Sequence, residues 1–185
     1  GLTSTGWAWD AEFLDFDHDG DDDLYLVNGT NDYNAFSMIV RNGKEGARAA
    51  SLLVSHSRES NVFFRNEQGK LKNRSAESGA DFVGNSRSTA FLDFDQDGDL
   101  DVFLLTNRYY RAGGRPVKPP FKQAGNGRAV VKPEFRKFYG LSEKGPGDYD
   151  MDEVGRPDIL LRNDDGQFKD VSETAGIQVR GHGLA

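Results

Sequence analysis

The stretch that decides the fold is Phe13–Leu26, FLDFDHDGDDDLYL, with its echo Phe91–Leu104, FLDFDQDGDLDVFL. The two match at a shift of 78 residues, flanking apolar positions included. Both contain DxDxDGxxD. Eleven aspartates fall inside them: Asp15, Asp17, Asp19, Asp21, Asp22 and Asp23, then Asp93, Asp95, Asp97, Asp99 and Asp101. Carboxylates this close repel each other in water, and a bound divalent cation removes the repulsion. Positions one, three and five (Asp15, Asp17, Asp19; Asp93, Asp95, Asp97) can turn alternate side chains inward around a hard ion. Gly20 and Gly98 at position six permit the sharp turn. Asp21 and Asp99 at position seven offer a backbone carbonyl, and Asp23 and Asp101 at position nine close the shell. An all-oxygen set in a flexible loop suits Ca²⁺ better than Zn²⁺ or Mg²⁺. Two calcium ions would move the formal net charge from −7 to −3. The plainer alternative, a solvated acidic turn, is disfavoured because the pattern occurs twice with glycine in register.

An EF-hand begins the same way but requires a bidentate Glu at position twelve and flanking helices. Leu26 and Leu104 stand there instead. The residues on both sides of each loop are β-formers, in runs too short for a helix. Each cluster therefore reads as strand, calcium loop, strand.

A second repeat extends the unit. NVFFRNEQGKLKNRSAESGA (Asn61–Ala80) matches DILLRNDDGQFKDVSETAGI (Asp158–Ile177) at a shift of 97 residues. Each has an apolar strand, then Arg-Asn, then a turn at Gly69 or Gly166, then a short strand ending near Ser75 or Ser172. Asn-x-x-Gly between β-rich runs is a hairpin signal. The expected fold is all-β, with four strands per unit, the composition of a β-propeller blade. Unit one spans 1–78 with an insertion at about 30–60, and unit two spans 79–175 with a basic insertion at about 108–149. Residues 176–185 repeat the phase of residues 1–10 and read as the start of a following unit. A propeller closes with ~4–8 blades, so the expected partners include the remaining blades, from the same or another chain.

The paired loops and the LLRNDDGQFKDVSETAGI-type segments resemble FG-GAP/VCBS repeat proteins. The nearest resemblance is to the cartilage-acidic-protein-like (ASPIC/UnbV-associated) members, abundant in bacterial surface and secreted proteomes. It covers nearly the whole chain and is strongest in Phe13–Asn28, Phe91–Asn107 and Asp158–Ile177. It implies an integrin-α-like, calcium-bound β-propeller, extracellular or on the cell surface, used in adhesion or matrix interactions. The family's calcium ligands carry over onto the loop aspartates named above. It implies no catalytic residues.

Two segments depart from a compact unit. Thr30–Ser60 holds the apolar runs Phe36–Val40 and Leu52–Val54, which suit an extra hairpin or a short helix. Arg108–Lys144 carries ten Lys or Arg: Arg108, Arg111, Arg115, Lys118, Lys122, Arg128, Lys132, Arg136, Lys137 and Lys144. Tyr109, Tyr110, Phe121, Phe135, Phe138 and Tyr139 are interleaved. Pro116, Pro119, Pro120 and Pro133 exclude a continuous helix or a central strand. Such a segment suits an acidic polysaccharide, phosphate or an acidic protein face. It also suits a surface insertion pinned by its aromatics. Beyond it, Asp150, Asp152, Gly155 and Asp158 fall at positions one, three, six and nine of the loop template, a weak third calcium site with Val154 at position five.

Composition narrows the function. The 185 residues are 36% hydrophobic and 29% charged, with 13 Phe and 6 Tyr, enough apolar surface for a core. No run of ~18 apolar residues is present, so no membrane-spanning helix is expected. Cysteine is absent, which excludes disulfides, thiolate zinc sites and a cysteine nucleophile. Net charge −7 argues against nucleic-acid binding. The chain opens at Gly1 and its first Met is Met38, as expected of a processed or excised piece. Asn28 and Asn73 begin glycosylation triplets. Trp7 and Trp9 flank the first strand and are expected to pack between neighbouring units. No motif designates a nucleophile or an acid–base pair. The leading expectation is a calcium-stabilised binding module without catalysis. A propeller-based polysaccharide lyase or hydrolase and a structural subunit of a larger assembly are the alternatives.

Overall fold

Strand β2 (Asp23–Asn28) is buried along its whole length. Its alternating Leu, Tyr and Val side chains supply both faces of a sheet, and a strand covered on both sides belongs in the middle of a layered fold. The computed structural model describes residues 5–29, 59–109, 116, 118–125, 127–178 and 180–181. The insertion expected at about 30–60 lies almost wholly outside the described residues.

β1 (Ala8–Leu14), β2, β3 (Val62–Asn66) and β4 (Leu71–Asn73) form a four-stranded antiparallel sheet in sequence order. β5 (Ser86–Leu92), β6 (Asp101–Thr106), β12 (Ile159–Asp164) and β13 (Gln167–Asp170) form a second sheet with the same order of pairing. In each, an aspartate loop joins the first two strands. Phe13 pairs with Leu24 in one sheet and Phe91 with Val102 in the other, so the registers correspond.

The expected hairpins are present. Gln68 and Gly69 have φ of 55° and 79°, and Asp165 and Gly166 have φ of 53° and 83°. Two successive positive φ values give the turn whose twist matches that of paired strands. Asn66 and Asn163 accept the N–H of Gly69 and Gly166 at 2.9 and 2.8 Å, closing each turn. Ser75, at the start of the one-turn helix α1 (Ser75–Ser78), accepts the Phe63 N–H at 2.8 Å, and Ser172 accepts that of Leu160 at 2.9 Å.

The sheets pack with unlike faces together. The main core joins Phe16, Tyr25, Val27 and Phe63 of the first sheet to Val102, Leu104, Ile159, Leu161 and Phe168 of the second. The counterparts of those second-sheet residues, Leu24, Leu26, Val62, Phe64 and Leu71, form a separate cluster on the other side of the first sheet. Phe168 lies 4.9 Å from Phe16 and 6.1 Å from Phe63 between ring centres. A polar strap adds to this contact: Asp10 of β1 accepts the Ser88 hydroxyl at 3.0 Å and the Thr89 N–H at 3.1 Å.

The described part of the basic insertion folds into two hairpins: β7 (Phe121–Gln123) with β8 (Ala129–Val131), and β9 (Tyr139–Gly145) with β10 (Asp148–Glu153). A 3₁₀ turn over Pro133–Phe135 separates them. The second hairpin runs past residue 149, the expected end of the insertion. β11 (Arg156–Pro157) pairs with β14 (Arg180–Gly181). The fold is all-β, in several antiparallel sheets. Among the described residues none of them closes into a barrel or ring. No described helix is long and apolar enough to cross a membrane.

Candidate metal centre

Both loops adopt one backbone course. Position four is left-handed in each, His18 at φ 57° and Gln96 at φ 63°. Position six is Gly20 at φ 90° and Gly98 at φ 99°, values that a side chain strains. The position-one carboxylate braces the turn from within. Asp15 accepts the N–H groups of Asp19 and Gly20, both at 3.0 Å. Asp93 does the same for Asp97 and Gly98 at 3.1 and 3.2 Å. Asp19 and Asp97 each accept the N–H two residues on, at 2.9 Å.

Position nine does more than the spacing suggested. Asp23 and Asp101 are fully buried at the start of the second strand of each sheet. Asp23 takes the Phe16 N–H at 3.2 Å on one oxygen and the Asn66 N–H at 2.7 Å on the other. Asp101 takes those of Phe94 at 2.7 Å and Asn163 at 2.8 Å. Each therefore ties its loop to the third strand. Burial pushes the Asp23 carboxyl up, with the charges of Asp17 and Asp19 adding to the rise and the two N–H groups opposing it. Desolvation likewise raises the Asp95 carboxyl, helped by Asp97 and Asp101.

Carboxylate oxygens converge in both places. Those of Asp15, Asp17 and Asp19 lie within 4.8 Å of one another, as do those of Asp93, Asp95 and Asp101. Positions one and three are common to both groups; position five completes the first and position nine the second. Asp21 is exposed, and Asp99 accepts the Asp165 N–H at 2.9 Å through its side chain. Both oxygens of Asp17 are buried and take no backbone N–H; the Arg65 guanidinium pairs with one of them. Hard anionic oxygens, three to a group, fit a divalent cation that prefers oxygen.

The weak third site is not assembled. Asp150 and Asp152 lie along strand β10, and both are exposed. Asp158 is used elsewhere, accepting the Thr106 N–H at 2.7 Å. Asn61 does this for the Asn28 N–H at 2.8 Å in the first sheet. The glycosylation triplet at Asn28 is also closed. Asn28 is buried, and its amide donates to the Thr5 and Ser60 carbonyls at 2.6 and 2.7 Å.

Three features escaped the sequence reading. Arg65 ion-pairs with Asp17, and Arg162 brings Nε to 3.8 Å from Asp95. The arginines are counterparts in the third strands, and the repeated Arg-Asn dipeptide was the signal for them. The His18 ring reaches across to the Gly98 carbonyl at 2.9 Å, joining the two loops. Arg87 stacks on Trp9, its guanidinium carbon 4.0 Å from the ring centre. No family model and no curated protein matches the chain.

Proposed function

We propose that the chain is a calcium-binding module of the FG-GAP/VCBS type. Its two four-stranded sheets are adjacent blades of a β-propeller that acts outside the cytoplasm in adhesion, matrix contact or surface assembly. The observation that carries the reading is the twin construction of the loops. Their backbone course is the same, and each holds a trio of convergent carboxylates between equivalent strands. Calcium has a structural role in this reading. It neutralises carboxylates clustered at the tip of a hairpin, and its binding energy adds to that of folding. The test is calorimetric titration of metal-stripped protein, followed by melting with and without Ca²⁺. Two sites and a rise in melting temperature are expected; an unchanged melting curve in excess EDTA overturns the reading.

A structural role within a larger assembly has its own support in two exposed phenylalanines, Phe13 and Phe94, whose counterparts Phe91 and Phe16 pack between the sheets. The β7–β8 hairpin and the turns beside it suit an acidic polymer or an acidic protein face, since Lys118, Lys122, Arg128, Arg136 and Lys137 are exposed, whereas the β9–β10 hairpin is itself acidic, with Glu143, Asp148, Asp150 and Asp152 exposed around Lys144. Native mass measurement distinguishes a lone module from an assembly.

A further inference from the structure

We propose that Arg65 and Arg162 are internal counter-cations of the two loops. Each guanidinium offsets the position-three carboxylate while no ion is bound and competes with the incoming Ca²⁺, so that the arginines hold calcium affinity down. The inference rests on the calcium reading above.

In the first loop, Asp15, Asp19 and Asp23 each accept backbone N–H groups. Asp17 accepts none, and both of its oxygens are buried. In this loop the charge on position three is thus the one that the backbone leaves unanswered. The fold answers it from the neighbouring strand: Arg65 pairs with Asp17, and Arg162 stands beside Asp95. An arginine of the third strand stands beside the position-three carboxylate in both sheets, closely at Asp17 and more loosely at Asp95, which also takes a hydrogen bond from the Asp97 backbone. Neither arginine is locked in. Both side chains are at least one-third exposed. A cleft lined by Phe16, Asp17, Arg65, Asp165 and Gln167 gives the first guanidinium room to swing aside. Arg162 has a second carboxylate to fall back on, Asp164, with Nε–O at 2.9 Å. A divalent ion and a guanidinium on one carboxylate repel each other. At about 6 Å in water that repulsion corresponds to about tenfold in binding.

The experiment titrates the whole chain with Ca²⁺ against a chelating dye, comparing wild type with Arg65→Gln, Arg162→Gln and Arg65→Lys, and records melting in EDTA. Each Gln variant is expected to tighten one site by about tenfold, to keep the stoichiometry and to melt lower in EDTA. Arg65→Lys, which keeps the charge, is expected to bind as the wild type does. A variant that fails to fold in EDTA is prepared calcium-loaded and read by its rate of calcium release, expected to be slower. Unchanged or weaker affinity in both Gln variants overturns the counter-cation proposal and leaves the calcium reading standing. Failure of the wild type to bind overturns both.

Discussion

Phe13 and Phe91 hold the same register position in the first strand of each sheet and have opposite surroundings. Phe91 meets Tyr25 edge-on across the sheet interface, with ring centres 6.2 Å apart, while Phe13 is 63% exposed. Phe16 and Phe94 repeat the contrast at the other end. Phe16 is 5% exposed, against Phe63 and Phe168, and Phe94 is 45% exposed. The side chains are the same, so the difference comes from which sheet has a neighbour on that side.

Substitutions at these four positions should separate accordingly. Phe16→Ala is expected to cost about 3–5 kcal/mol in urea unfolding. Phe13→Ser and Phe94→Ser should each change stability by about 0.5 kcal/mol or less, while reducing self-association in sedimentation. A stability loss at Phe94 equal to that at Phe16 would contradict this account.

Asp101 satisfies two backbone donors from inside the core. Asp101→Ala leaves both without an acceptor, at roughly 1–3 kcal/mol each. Asp101→Asn keeps one acceptor oxygen and should lose about half as much. Unfolding in chelator reads this contribution without any from an ion.

Gly98 is held at φ 99° with open space around it. Gly98→Ala therefore meets no neighbour, and its penalty is conformational, about 1 kcal/mol or more. The loss should be the same at several calcium concentrations if the strain alone is responsible, and denaturant titration at each will show it.

The pH response has two opposing parts in the calcium-free protein. The Lys72 and Arg74 side chains hold the Glu67 carboxyl down from 4.5 to about 2. A depressed folded pKa stabilises above the unfolded value and is lost as pH falls through the folded one. The margin of wild type over Glu67→Gln should thus be full above about pH 4.5 and gone near pH 2, a small effect because the pair is exposed. Asp23 has the reverse sign. Its raised carboxyl favours the folded state below 3.8 and loses that benefit as pH rises through the folded value. Melting profiles of the Glu67→Gln variant from pH 2 to 7 test the first part.

The loops and hairpins were legible because glycine and aspartate at fixed offsets dictate local backbone geometry. The Asn66 and Asn163 turns and the course through Gly20 and Gly98 follow from a few residues each. The same spacing misled at Asp150 and Asp152. Alternate acids also describe the outward face of a strand, and with Val154 at position five they lie along β10. The repeated Arg-Asn dipeptide marks Arg65 and Arg162, but their partnership with the loops depends on how far the side chains reach across the sheet, which residue spacing does not encode. The sequence also placed Asp23 in a metal shell without showing that both of its oxygens are taken by backbone donors.

The packing of unlike faces has a consequence for how such chains lengthen. An interface built from two identical faces is used up once it forms. Here the Tyr25 side of one sheet takes the Leu104 side of the next, and each sheet still carries the face opposite to the one it used. A copy of the gene segment joined end to end would therefore meet its parent across a surface that already works, with no new complementarity to evolve.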